Sequence, residues 1–197
     1  MSLKGPFALL ATTIGLAALV ASAAPARGAL LPSCGSTAQV FSPWSDFSPY
    51  YFAPNGGFER GSAGWTFSGP VSVVADNDAY ELSGARTHAL DIGEGGTASI
   101  TVCSGMTYPA LRFVATGVDG PATVHVRIVA HGPLGVLATL DGGRFTVGSD
   151  WRPAPKLSTL FAALAAPLGA NAMEVRISVE RGTARIDDLY VDPFVSR

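Results

Sequence analysis

The spacing of its apolar runs limits the fold of this chain more than any other feature. From Gly64 onward, short stretches that alternate or are continuously apolar recur about every ten residues, each closed by Gly, Asp, Asn or Pro. They are too short for ordinary helices and lack the period of a helix with one buried face. Strands are predicted at Gly64–Phe67, Val71–Val74, His88–Ile92, Thr97–Cys103, Ala110–Ala115, Ala122–Ala130, Gly135–Leu140 and Arg144–Val147. Many short strands with turn residues between them make a β-sandwich or a barrel. Strict alternation appears twice, in Val124, Val126 and Ile128 against His125, Arg127 and Val129, and in Val175, Ile177 and Val179 against Arg176, Ser178 and Glu180. Each of these strands buries one face and wets the other. Arg181-Gly182 then predicts a hairpin, with the chain returning through Ala184 to Asp192 and stopping at Asp192-Pro193. The nearly continuous apolar run from Leu157 to Leu168, bracketed by Pro155 and Pro167, reads as a strand entering a loop.

Ahead of this pattern, Lys4 precedes an uncharged run from Gly5 to Ala26 that ends in Ala21-Ser22-Ala23 and Ala24-Pro25-Ala26. A short positive start, an apolar middle and small residues at the end form a secretory signal. As an uncleaved anchor the run is weak, because Ala, Thr and Gly stand where a span needs larger apolar residues. No later segment is apolar enough to span. The expected organisation is a signal peptide at residues 1–26, an aromatic and proline-rich arm at 27–54, and one β-sandwich domain at 55–197, with the protein secreted or held at the cell surface.

The formal net charge is −2, from 13 Lys and Arg against 15 Asp and Glu. Without a basic excess there is no electrostatic footprint for a nucleic-acid backbone, so nucleic acid is excluded as an expected partner. The chain holds two cysteines, Cys34 and Cys103, and in an oxidising compartment these are most simply a disulfide. Leu31-Pro32-Ser33-Cys34 also has the look of a lipoprotein processing site, although lipidation there would strand Cys103.

The most specific stretch is Asn55-Gly56-Gly57-Phe58-Glu59-Arg60-Gly61-Ser62-Ala63-Gly64-Trp65, matched near the other end by Arg185-Ile186-Asp187-Asp188-Leu189-Tyr190-Val191. This pair resembles the galactose-binding-like jelly rolls, which include several families of carbohydrate-binding modules. The resemblance covers about residues 50 to 194 and implies an all-β fold, a single jelly-roll β-sandwich in which the two motifs meet in space. It also implies a structural calcium ion, with Glu59 and Asp187 as side-chain ligands and Asp188 as the substitute. Carboxylates and backbone carbonyls would supply the six to eight oxygens that calcium takes. Without a metal, Glu59 would instead accept backbone hydrogen bonds in a turn. Phe58 and Trp65 are expected in the core, where large aromatics dominate sandwich packing.

A sugar-binding role needs exposed rings that stack on a pyranose and a few polar groups that fix its orientation. Trp44, Tyr50, Tyr51 and Trp151 are the candidate rings, with Asp46 and Asp78 as hydrogen-bond partners. The competing expectation is that the aromatics of the arm cover a sheet face. Catalytic signatures are missing: there is no Gly-x-Ser-x-Gly elbow, phosphate loop, dinucleotide fingerprint or metal spacing among His88, His125 and His131, which are expected at the surface. A glycosidase needs two nearby carboxylates, for which Glu59 and Asp187 are the obvious candidates. The expected function is therefore a secreted, non-catalytic binding domain, with an extracellular or cell-wall carbohydrate as ligand. A structural or protein-interaction surface protein is the alternative from another class, and a glycoside hydrolase the minor one.

Overall fold

A computed structural model describes residues 34–103, 110–158 and 172–192. These residues form β1 (Tyr51–Phe52), β2 (Trp65–Ser68), β3 (Val71–Ala75), β4 (His88–Ile92), β5 (Thr97–Val102), β6 (Ala110–Gly132), β7 (Gly135–Val147), β8 (Arg152–Pro153), β9 (Leu157–Ser158) and β10 (Ala172–Asp192), with one 3-10 turn at Ser42–Trp44. The expected signal peptide at 1–26, most of the 157–168 run and Pro193 lie outside the described residues. Among those described, no helix is long and apolar enough to cross a membrane.

The two long strands β6 and β10 form an antiparallel spine that runs from Ala172 opposite His131 to Asp192 opposite Ala110. On the first half of β10, Val175 lies between Ile100 of β5 and Ile128 of β6. With β2 on the outer edge of β5 and β7 on that of β6, one layer has the order β2-β5-β10-β6-β7. On the second half, Ile186 lies between Leu90 of β4 and Ala115 of β6. Here β3 extends β4, β8 and β9 pair with β6, and β1 pairs with β10, which makes the second layer.

The spine passes between layers at one corner. Its register shifts around Arg181 and Thr183, opposite a loop in β6 where Asp119 and Gly120 have φ of 58° and 136°. The chain folds back so closely there that a Cβ on Gly117 would lie 2.1 Å from the Gly120 carbonyl oxygen, so only glycine fits. Folding the spine brings the inward residues of both halves together. Leu90, Ile92 and Ile186 share one core with Ile100, Val126, Ile128, Val175 and Ile177. The architecture is the expected all-β jelly-roll sandwich, with Phe58 and Trp65 in its core.

Three expectations change. Arg181-Gly182 does not turn a hairpin, because residues on both sides of it pair with β6 in the same direction, and Gly182, with φ of 74°, sits at the corner instead. The strands predicted apart at Ala110–Ala115 and Ala122–Ala130 are one strand, β6, as are those at Gly135–Leu140 and Arg144–Val147, which form β7. His125 is not a surface residue: it is 5% exposed and bridges Asp141 (3.0 Å) and Glu180 (3.1 Å) across three strands.

The arm lies against the second layer. Phe41 and Tyr50 pack on Tyr190 of β10 in a small apolar cluster of their own, with Phe41 edge-on to both rings. Beneath them Arg112 donates to Asp46 (3.0 Å) and to the Ala154 carbonyl (2.9 Å), and its guanidinium covers the Phe41 ring at 4.7 Å. Cys34 and Cys103 are joined, with Cα atoms 5.5 Å apart, which ties the start of the described arm to the end of β5 and leaves no thiol at Cys34 for lipid attachment.

Candidate functional site

The Asn55 motif is first a self-closing turn. Asn55, at φ 53°, donates from its amide to the carbonyls of Gly61 (2.9 Å) and Ala63 (3.0 Å) and accepts from the backbone N–H of Arg60 (3.0 Å). The Trp65 indole N–H closes the loop on the Asn55 carbonyl at 3.1 Å. Gly56 meets the C-terminal motif directly, accepting from the Leu189 N–H at 3.1 Å, and a Cβ there would lie 2.7 Å from the Leu189 carbonyl oxygen. The two motifs therefore do meet, through backbone.

Their carboxylates go to different networks. Glu59 Oε1 accepts the backbone N–H groups of Thr87 (2.7 Å) and His88 (2.9 Å), while Oε2 accepts from the Thr87 hydroxyl at 3.2 Å and faces His88 Nδ1 at 3.2 Å. Modest burial raises its pKa, but these hydrogen bonds prevail and hold it below the usual carboxylate range. Asp187 is fully buried and accepts the N–H groups of Asp188 (2.7 Å) and Asp78 (3.2 Å). Asp188, at φ 51° on a β-bulge, accepts from the Ser83 hydroxyl and from its N–H at 3.1 Å. Among the described residues no group of three or more His, Cys, Asp or Glu is arranged to hold a metal ion. The carboxylates of Glu59, Asp187 and Asp188 thus accept hydrogen bonds from different segments, Glu59 from residues 87–88, Asp187 from Asp78 and Asp188 from Ser83.

What the fold does assemble is a buried trio of acids, Asp78, Asp187 and Asp188, each at most 2% exposed. No Lys, Arg or His forms an ion pair with them among the described residues. Burial pushes Asp187 up to about 8, helped by the charge of Asp188, and pushes Asp78 up to about 7. Asp78 Oδ2 is buried and has no hydrogen-bond partner among the described residues, and the neighbouring Asp188 carboxylate adds to the upward push on Asp78. Asp78 Oδ1 takes the N–H groups of Tyr80 (2.6 Å) and Glu81 (3.1 Å). This fixes the 76–81 loop from below, and Arg185, paired bidentately with Asp91, holds its other end through Asp76.

That loop presents Tyr80. Its hydroxyl donates to the Trp151 carbonyl at 2.8 Å, and Trp44 stands edge-on to its ring at 4.8 Å. Tyr80 and Trp151, both half-buried, line an open cavity of about 420 Å³ together with Ala79, Ser149, Asp150 and Arg152. Trp151 thus lines the cavity, and Trp44, outside the lining, reaches it only through Tyr80. Tyr50 and Tyr51 lie elsewhere: at 1% and 3% exposed they are core residues, and the Tyr51 hydroxyl donates to the Cys103 carbonyl. Asp46 is no ligand partner either. Burial raises its pKa, but hydrogen bonds from Tyr50 and the Ser48 backbone, with the Lys156 charge, hold it below its usual value. Tyr80, Asp150 and Arg152 were not among the predicted site residues. The signal for Tyr80 was its place just after the turn-forming Asp76-Asn77-Asp78.

No protein-family model and no curated protein matches the sequence. Solved structures do match in fold. The CBM22-1 xylan-binding domain of Paenibacillus barcinonensis Xyn10C superposes with a TM-score of 0.53 at 14% identity, over 71% of this chain and 93% of that one. The C-terminal family 22 carbohydrate-binding module of Clostridium thermocellum Xyn10B gives 0.50 at 16%, over 75% and 96%. The enzymatically active domain of bacteriophage CBA120 tailspike protein 4 gives 0.53 at 18%, over 70% of this chain but 20% of that one. The fold is that of the carbohydrate-binding-module β-sandwiches.

Proposed function

We propose that this protein is an exported, non-catalytic carbohydrate-binding domain whose ligand contact is the cavity beside Tyr80 and Trp151. The ring-lined cavity carries this reading: two half-buried aromatics stand ready to stack, with Asp150 and Arg152 beside them to take sugar hydroxyls. Xylan-binding modules of the same fold support it. The non-catalytic part follows from the carboxylates. Glycoside hydrolysis needs a pair of them flanking the bond, and the cavity lining contains Asp150 alone. Asp187 is sealed from any substrate, and Glu59 is bound to the 87–88 turn.

A glycan array probed with the wild-type protein and with Trp151→Ala tests this: binding to at least one glycan that the variant loses is expected, and a blank array for the wild type would sink the proposal. Export follows from the leader, and sequencing the N-terminus of the secreted protein should find Arg27 or a neighbour first. The protein-contact alternative rests on the β6–β7 hairpin tip, where Leu134, Val136 and Leu137 are 101%, 60% and 40% exposed.

A further inference from the structure

The outer face of the layer β2-β5-β10-β6-β7 is one surface on which an extended polymer could lie. The residues that point to it follow from the register, His125 and Val129 among them being buried by their neighbours. One row across the strands reads Ser68, Thr97, Ser178, His125 and Arg144, and the next reads Thr66, Ser99, Arg176, Arg127 and Asp141. Beside these stand Thr101, Glu174, Val129 and Thr139. None is aromatic. The rings of this layer, Trp65, Phe67 and Phe145, all pack into or against the core. The charged groups on the face largely satisfy one another: Arg144 pairs bidentately with Glu180, and Glu174 holds both Arg176 and His131. An extended sugar chain would find no platform there and would have to displace these ion pairs.

The accessible rings gather instead at the loops that end the sandwich. The cavity is bounded by the 78–80 loop and the 149–152 loop, and at about 420 Å³ it lies near the lower end of the range for small-ligand sites, roughly 300–1,000 Å³. Phe47, 64% exposed, is a further ring in solvent, but it stands on the arm and not on the sheet.

We infer that the site takes a short saccharide, one or two sugar units seated against Trp151 and Tyr80, and does not track along a polysaccharide. Trp44 is a positioning residue in this arrangement, bracing Tyr80 edge-on, and the arm is thereby part of the site. This rests on the carbohydrate reading and narrows its ligand class.

The test is calorimetric titration of the purified protein with di- and hexasaccharides of the xylo, gluco, manno and galacto series. In any series that binds, the disaccharide should match the hexasaccharide to within about threefold in Kd, and Trp151→Ala should weaken both by about tenfold or more, as loss of an aromatic anchor does. Arg176→Ala, on the sheet face, should change neither. Trp151→Phe should keep most of the affinity, and its melting curve guards against misfolding. Affinity that climbs more than about tenfold with chain length, survives Trp151→Ala and falls with Arg176→Ala would overturn this inference and leave the carbohydrate reading standing. No heat in any series would overturn both.

Discussion

Two aromatic clusters grow from the same arm, and they do opposite things. Phe41 and Tyr50 are buried with Tyr190 and closed over by Arg112. Trp44, three residues from Phe41, is half-buried: it packs on that cluster with its ring 6.2 Å from Phe41, and it also stands edge-on to Tyr80, which lines the open cavity. Both groups are aromatic, so residue type alone cannot say which ring anchors and which displays. The partner decides it. Phe41 and Tyr50 meet an outward-facing Tyr190 on a central strand, whereas Trp44 meets a ring on a loop that a buried carboxyl holds in place.

The sharpest way to break that contrast is to remove an anchor. Tyr50→Ala deletes a fully buried ring and should cost about 3–5 kcal/mol in denaturant unfolding, as large aromatic truncations do. A cost under about 1 kcal/mol would mean the arm is loosely held and the contrast false. Next comes the bridge. Cys103→Ser opens a loop closed over 69 residues, worth about 4 kcal/mol in the chain-entropy model, and the oxidised wild type should melt correspondingly higher. Equal melts for wild type and variant under oxidising conditions would remove the bridge from the account.

Asp46→Asn should cost less, roughly 2–3 kcal/mol, because it removes the charge from hydrogen bonds with Arg112 and Tyr50 at a site mostly out of water. For comparison, Arg144→Ala on the exposed sheet face should leave the melt unchanged, since Arg144 and Glu180 are well solvated. If the two variants behaved alike, the arm clamp would be no more than another surface ion pair.

Much of the fold was legible because strands declare themselves locally. The alternation at Val124–Ile128 and Val175–Val179 gave the buried faces correctly, and the paired motifs gave the meeting of the chain ends. The hairpin at Arg181-Gly182 failed because a glycine between two strand patterns marks a sharp bend equally well whether the chain reverses or switches layers. Only the partner strand distinguishes them, and it lies far outside any local window: Arg181 pairs with Thr123 and Thr183 with Val118 of β6. The candidate site was less legible for a similar reason. Trp44 and Trp151 stand out in the sequence as rings, but what links them is Tyr80, whose loop is placed by Asp78 donating to Asp187, 109 residues away. The resemblance assigns Glu59 to calcium; in the fold its oxygens accept from the backbone of Thr87 and His88 and from the Thr87 hydroxyl, in a segment that carries no motif of its own.

The smallest expected effect concerns the acids beneath that loop, and its sign follows from their burial. Asp187 and Asp78 have pKa values raised to about 8 and about 7 in the folded protein, against 3.8 when unfolded. Between these limits the folded chain binds more protons than the unfolded one, so stability is fully present on the acid side and is lost as pH rises towards 8. The melting temperature should therefore fall by a few degrees from pH 5 to pH 8, the ionised Asp187 and Asp78 being free to relax by admitting water. Asp187→Asn, neutral throughout, should flatten that slope. Because Glu59 is already occupied, the melt should be the same in calcium as in chelator. A slope that persisted in the variant would move the titration elsewhere. If calcium alone restored the stability lost at pH 8, the trio would be a cation site, and the loop that carries Tyr80 would then be held by metal as well as by its hydrogen bonds to Asp78.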